Sequence, residues 1–168
     1  GDDTHQFTGS LFISGSRIDL NDGNGTVAIG PNAFDSATTA DNSVIIGYNA
    51  GTSLTTGGSN QVIGFSALDS ATTATNNVAI GRDSMGSVSS GVAATNNIAI
   101  GRNTLKSISS TDADGSIAIG RDAGTAITSG ASNLAIGYQA LKTHTTGASN
   151  IAIGYGAMDD TDAGSNSL

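Results

Sequence analysis

Apolar and polar positions follow one another along this chain on a short, fixed beat. An apolar triplet runs into a glycine eight times, at Gly30, Gly47, Gly64, Gly81, Gly101, Gly120, Gly137 and Gly154, at intervals of 17 residues except for 20 after Gly81 and 19 after Gly101. With each glycine as position 0, position −1 is Ile29, Ile46, Ile63, Ile80, Ile100, Ile119, Ile136 and Ile153. Position −3 is Val27, Val44, Gln61, Val78, Ile98, Ile117, Leu134 and Ile151, and position −2 is Ala28, Ile45, Val62, Ala79, Ala99, Ala118, Ala135 and Ala152. These small or β-branched triplets predict short strands. A helix is disfavoured because the repeat is too short to hold one together with two glycine- and asparagine-rich corners and a return turn. A steady period of this length predicts an all-β solenoid, a β-roll of about eight coils, in which each coil buries its apolar face only by stacking on its neighbours.

Successive side chains of a strand point to opposite faces, so positions −3 and −1 share one face and position −2 takes the other. The sequence expectation places the larger pair inside, with the isoleucines of position −1 as the core ladder. Position −2 then faces outward. Because all eight of its residues are apolar and six are alanine, a second chain is expected to cover it at close range, which makes Ala28, Ile45, Val62, Ala79, Ala99, Ala118, Ala135 and Ala152 the candidate interface residues of an oligomer.

Position +3 (Ala33, Ala50, Ala67, Ser84, Thr104, Ala123, Ala140, Ala157) and position +4 (Phe34, Gly51, Leu68, Met85, Leu105, Gly124, Leu141, Met158) read as a second core contribution. Threonine pairs such as Thr38 and Thr39, Thr55 and Thr56, Thr72 and Thr73, and Thr145 and Thr146 form an outer hydroxyl-rich stretch. Gly57, Gly130 and Gly147 then mark a corner, as do Asn42, Asn76 and Asn96 ahead of the next strand; glycine and asparagine tolerate positive φ there. The extra residues after Gly81 and Gly101 are expected to bulge from this corner, where they leave the stacked strands undisturbed.

Residues 1–24 stand outside the repeat, and Leu11, Ile13, Ile18 and Leu20 suggest two short strands of an N-terminal β cap or neck. Residues 25–168 carry the solenoid, ending within an incomplete ninth repeat at Asn166, Ser167 and Leu168. The open end would present unpaired backbone groups, so the native protein is expected to continue or to be covered there, and the start at Gly1 fits removal of a leader or upstream region. Eight coils at about 4.8 Å each give a rod on the order of 40 Å long.

Composition narrows the classes. The chain has no cysteine, which excludes a disulfide framework and a thiolate metal site. Its formal net charge is −8 and all fourteen acids are aspartates, so a nucleic-acid backbone would be repelled. No apolar run reaches the length of a membrane span, and no nucleic-acid partner or membrane insertion is expected.

The segments "NVAIGRDSM", "NIAIGRNTL", "NLAIGYQAL" and "NIAIGYGAM" resemble the head repeats of trimeric autotransporter adhesins, the YadA-like left-handed β-roll. They are still more similar to the longer "AIGYQAL…TTG…N" repeats of bacteriophage tail fibres, often found upstream of a self-cleaving intramolecular chaperone. The coil is longer than in the adhesin head, and the opening "HQFTGSLFISGS" resembles phage fibre proteins rather than an adhesin passenger. The resemblance covers residues 25–168. It implies a homotrimer of intertwined or side-by-side rolls, partnered by other fibre or virion proteins and sited in a virion tail fibre or on an extracellular surface; an end at Leu168 would be what remains when such a chaperone is cleaved or was never included.

Few residues offer chemistry. Arg82, Arg102 and Arg121 occupy position +1 in three successive coils, with Tyr48 and Phe65 before them and Tyr138 and Tyr155 after. One reading is a glycan-contact stripe of Arg82, Arg102, Arg121, Tyr138 and Tyr155, arginines gripping carboxylates and tyrosines stacking on sugars. The other is a ladder whose like charges are offset by Asp83 and Asp122, within the chain or across a subunit boundary. Asp35, Asp69 and Asp159 share position +5, while Asp83 and Asp122 share position +2. A polysaccharide-cleaving tailspike would need two facing carboxylates, but neither position is acidic in every repeat, so solvated turn residues are the reading and no catalytic residue is assigned. His144 replaces the apolar residue of Leu54, Val88, Ile108 and Ile127. On a three-fold axis it would bring three imidazoles together for an anion or metal, but a lone histidine without neighbouring ligands reads as a tolerated substitution. Asn21, Asp22, Gly23, Asn24 and Gly25 read as a turn rather than a calcium loop. An ice-binding solenoid is disfavoured because adjacent threonines point opposite ways. No cofactor and no metal is expected. The sequence therefore points to a non-enzymatic structural fibre protein, a stiff trimeric spacer or host-attachment segment of a phage tail fibre, with a bacterial trimeric surface adhesin head as the alternative.

Overall fold

A computed structural model describes residues 25–159 and residue 164; the expected cap over residues 1–24 and the start of a ninth repeat lie outside the described residues. Eight three-residue strands, β1 (Val27–Ile29), β2 (Val44–Ile46), β3 (Gln61–Ile63), β4 (Val78–Ile80), β5 (Ile98–Ile100), β6 (Ile117–Ile119), β7 (Leu134–Ile136) and β8 (Ile151–Ile153), form one parallel sheet in sequence order. The register follows the repeat: Ile80 pairs with Ile100 and Ile100 with Ile119, through the bulged coils as well as the regular ones. The chain is thus a parallel β-solenoid of about seven turns, spanning roughly 34 Å from β1 to β8 at ordinary strand spacing. The only helix among the described residues is a 3-10 turn, Thr111–Ala113. It falls in the insertion after Gly101, and the insertion after Gly81 brings out the exposed Ser89, Ser90 and Gly91 at the same corner.

The assignment of faces is the reverse of the sequence expectation. Ile45, Val62, Ala79, Ala99 and Ala118 at position −2 are fully buried inside the roll, whereas Ile63 is 40% and Ile119 37% exposed. Position −2 is therefore the core ladder, and the isoleucines of position −1 point outward with the residues of position −3. The cause is volume. In the coil of β5 the interior is filled by Ala99, Leu105 and Ile108, and in that of β4 by Ala79, Met85 and Val88, all without exposed surface. A second large side chain from the strand would not fit between these walls. Where position −2 is large, its neighbours shrink. A methyl placed on Gly51 would lie 3.4 Å from Cγ2 of Ile45 in the same coil, and the coil of Val62 carries Ala71 where others carry Leu54, Val88 or Ile108. Ala79, Ala99, Ala118, Ala135 and Ala152, proposed to meet another chain, cannot do so because they meet the inside of their own; Ala28 of the first coil is exposed.

The backbone of each coil is held in left-handed conformations at recurring points. Position +4 has positive φ at residues as large as Leu105 (44°) and Met85 (51°), and the corner residues Asn42, Asn76 and Asn96 lie at 51°, 58° and 60°. An L-residue in this region costs about 1–2 kcal/mol, which inter-coil bonds offset; Gly101 N–H, for example, donates to Ile80 O at 2.7 Å. The glycine of position 0 is fixed by two constraints together. Gly101 has φ +135°, and a Cβ there would stand 2.7 Å from the carbonyl oxygen of Gly120 in the next coil.

Candidate functional site

Three features emerge from this frame: a polar spine inside, an apolar face outside, and a stacked column beside that face. The spine is position −4. Ser43, Asn60, Asn77, Asn97, Ser116, Asn133 and Asn150 are all buried, and the side-chain oxygen of each of the first six accepts from the backbone N–H of its counterpart one coil on. Asn60 Oδ1 accepts from Asn77 N–H at 3.0 Å, Asn77 Oδ1 from Asn97 N–H at 2.9 Å, and Asn97 Oδ1 from Ser116 N–H at 2.9 Å. The series runs on through Ser116 Oγ to Asn133 N–H at 3.2 Å and Asn133 Oδ1 to Asn150 N–H at 2.9 Å. Asn77 Nδ2 also donates to Ala94 O at 2.9 Å. Backbone donors turned into a dry interior need partners, and this spine supplies them. Sequence reasoning missed it, although the asparagine preceding "VAIG", "IAIG" and "LAIG" in the quoted segments was the signal.

The apolar face is formed by positions −3 and −1, two columns of eight residues in which Gln61 is the one polar member. Described residues of both columns, among them Val44, Ile63 and Ile151, stand exposed on the single chain. Six of the nine large hydrophobic side chains exposed on the single chain, Ile29, Val44, Ile63, Ile119, Ile151 and Ile153, thus lie in one stripe along the sheet, the other three being Tyr48, Phe65 and Tyr155 of position +1.

Position +1 lies just past the glycine, where the strand ends and the chain turns, so its column runs beside the sheet face. Tyr48 stacks on Phe65 with centroids 5.3 Å apart and planes 10° from parallel, and Tyr138 stacks on Tyr155 at 5.2 Å and 15°. The guanidinium of Arg82 lies 5.7 Å from the Phe65 centroid and that of Arg121 5.1 Å from that of Tyr138. Arg102 sits between them in register, held by Asn103 N–H donating to Arg82 O and Asp122 N–H donating to Arg102 O. The five residues of the expected stripe therefore belong to one continuous column with Tyr48 and Phe65. Arg82 Nε pairs with Asp83 at 3.2 Å and Arg121 Nε with Asp122 at 3.1 Å, as the charge-offset ladder requires. Stacking occupies one face of each ring in the two pairs, and Arg82 and Arg121 lie over Phe65 and Tyr138 as well, which takes from those two rings the flat surface that sugar stacking would use; Tyr155 stays 81% exposed.

The aspartates divide by environment. Burial pushes Asp122 up, but hydrogen bonds from Asn103 and Arg121 and the charges of Arg121 and Arg102 outweigh it and hold the carboxyl below its ordinary value. Burial raises the Asp69 carboxyl, with the nearby charge of Asp83 adding to it against a hydrogen bond from Thr52. His144 is fully buried in the roll interior, with Nε2 2.8 Å from Gly147 O and 3.1 Å from Asn150 Nδ2. An axial cluster of three copies is thereby excluded, since the position of Leu54, Val88, Ile108 and Ile127 faces inward. The threonine stretch is bonded between coils as well: Thr38 Oγ1 donates to Thr55 O, Thr55 Oγ1 to Thr72 O, and Thr128 Oγ1 to Thr145 O. Those hydroxyl protons are committed to the neighbouring coil. Among the described residues no group of three or more His, Cys, Asp or Glu side chains is placed to hold a metal ion, and no helix is long and apolar enough to cross a membrane. Comparison with protein-family models, with curated proteins and with solved structures gives no match.

Proposed function

We propose that this chain is a structural segment of a homotrimeric fibre, a stiff spacer or host-attachment rod of a phage tail fibre, with no catalytic role. The observation that carries the reading is the outward stripe of positions −3 and −1. Apolar side chains scattered singly over a surface are ordinary, but a ribbon of isoleucine and valine running the length of a rod marks a surface that is covered in use. Sister copies fit it best. They present the same coil height and the same ribbon, so strands of every copy meet level with one another around a common axis. Position −3 then faces one neighbour and position −1 the other, and each half-exposed isoleucine so covered contributes on the order of 1 kcal/mol. Stiffness follows from the parallel ladder, the buried asparagine spine and the stacked column, three in-register series along one axis. The placement in a phage fibre rests on the resemblance of the "AIGYQAL" repeats and the opening segment.

Sedimentation equilibrium tests the assembly. The wild type is expected at three times the chain mass, and Ile80→Lys/Ile100→Lys/Ile119→Lys at the mass of one chain with its β circular dichroism retained. A monomeric wild type at micromolar concentration would overturn the reading.

A further inference from the structure

We infer that the guanidinium ladder of Arg82, Arg102 and Arg121 is a binding edge for a linear acidic glycan lying along the rod, its carboxylates taken one coil at a time. The inference deepens the attachment reading above and rests on it for the three copies that would present three such edges around one rod.

Four observations support it. The chain carries fourteen acids against six lysines and arginines, yet three of those six stand in one column in adjacent coils. Such a concentration of positive charge on an acidic rod opposes the local field and is selective for an anion that approaches narrowly. Next, the column has fewer counter-charges than cations. Asp83 and Asp122 engage the Nε groups of Arg82 and Arg121, while Arg102 is followed by Asn103, whose amide donates to Asp122 Oδ1 at 2.8 Å. Arg102 thus has no ion-pair partner among the described residues, and one net positive charge remains at the centre of the ladder.

The third observation is geometry. Arg82 and Arg121 are stacked on Phe65 and Tyr138, and their side chains remain 62% and 54% exposed. With Nε committed to the aspartate, the terminal nitrogens of each remain as a pair of donors, the fork that takes a carboxylate in two parallel hydrogen bonds. Stacking fixes these long side chains before a ligand arrives, so less entropy is lost on binding. Last, the spacing matches. Coils repeat at about 4.8 Å, so the three guanidiniums fall on one line spanning about 10 Å along the rod, a track for an extended chain bearing repeated carboxylates rather than for a single compact anion. Phe65 and Tyr138, each packed against both a ring and a guanidinium, contribute their edges rather than their faces. Tyr138 and Tyr155 offer hydroxyls and Gln139 an amide to the sugar hydroxyls beyond the charged centre. A nucleic acid is the poorer fit, because phosphodiester binding needs a broad basic surface, and this column is one residue wide with aspartates on its flank.

The test measures binding of polygalacturonate oligomers to the full chain by isothermal titration calorimetry at low salt, with dextran as the neutral control and a single-stranded oligonucleotide as the competing polyanion. Wild type is expected to bind polygalacturonate, to weaken as salt rises, and to ignore dextran. Arg82→Gln/Arg102→Gln/Arg121→Gln is expected to lose about tenfold or more in affinity, and Arg102→Gln alone to lose more than either flanking single variant, while sedimentation mass is unchanged in all. Equal polygalacturonate binding by the triple variant and wild type would overturn the inference. So would equal binding of dextran, tighter binding of the oligonucleotide, or dissociation of the triple variant into single chains, which would make the column a contact between copies. A wild type that sediments as a monomer but binds polygalacturonate through the arginines would overturn the trimer and leave the glycan edge standing.

Discussion

The reversal of faces can be tested by exchanging volume between two positions of one coil. Ile45 projects into the roll opposite Gly51, whose missing Cβ would lie 3.4 Å from Ile45 Cγ2 and 3.6 Å from Cδ1. Three coils on, Ala99 faces Leu105 at the same two positions, both fully buried. Ile45→Ala alone removes buried carbon atoms from a tight interior and is expected to cost about 2–5 kcal/mol. Gly51→Leu alone overpacks the same space for roughly 1–3 kcal/mol and adds about 1–2 kcal/mol for a side chain at φ +56°. The double variant rebuilds the alanine and leucine pair that the β5 coil already uses, where Leu105 adopts the same left-handed backbone at φ 44°. It should recover most of the packing loss and retain only the backbone cost, so the coupling energy reaches about 3 kcal/mol, at the upper end for residues in contact. Urea midpoints at one fixed protein concentration, read as a double-mutant cycle, measure it. Strict additivity, or an Ile45→Ala variant within 0.5 kcal/mol of wild type, roughly the surface-substitution range, would show that Ile45 does not sit inside.

Further consequences follow from the same packing. Asn77→Leu leaves Asn97 N–H without its acceptor in the interior, while Ala94 O keeps the bond from Thr75 N–H, and should cost roughly 1–3 kcal/mol, read by chemical denaturation; a loss below 0.5 kcal/mol, about a surface change, would remove the spine from the account. Gly101→Ala places a methyl 2.7 Å from Gly120 O at φ +135° and should lower the melting temperature more than Gly91→Ala, where nothing lies within 4 Å; equal effects would contradict the close approach. For Asp122 the folded carboxyl lies below the ordinary aspartate value of 3.8, so its contribution to stability is present above that pH and fades as pH falls through the lower folded value. Asp122→Asn should therefore melt below wild type at pH 7, and the gap should narrow in acid; a gap that is constant between pH 7 and pH 2, about the span over which a carboxylate titrates, would refute this.

The period, the strands, their parallel register and the inward positions +3 and +4 were legible because repetition turns single residues into columns. Asn42, Asn76 and Asn96 were readable as corners for the same reason, and each has the positive φ that asparagine tolerates. Which strand face is interior was not readable from the triplet. Alternation establishes only that Ala99 and Ile100 point opposite ways, and hydrophobicity favours the larger residue as core when the width of the roll is unknown. That width is set by residues six and nine places further on, Leu105 and Ile108, which fill the space from the far wall. The pairing of Ile45 with Gly51 held the answer, since a bulky residue needs a compensating gap only if the two meet. His144 was read as a tolerated substitution with the facing of its column left open, and the structure turns that column into the roll. In the column beside the sheet, the alignment of arginines and aromatics was visible, but their stacking on one another, which decides whether faces or edges meet a ligand, depends on coil spacing and rotamer.

The chain has no cysteine of its own, so single cysteines at two adjacent positions test the central claim directly. In Ala99→Cys the thiol lies inside the roll and should resist a thiol reagent until the protein unfolds, whereas in Ile100→Cys it stands on the outward ribbon and, in the proposed trimer, should form disulfide-linked dimers between copies under mild oxidation. Rapid labelling at position 99 together with a protected, uncrosslinked thiol at position 100 would contradict the account.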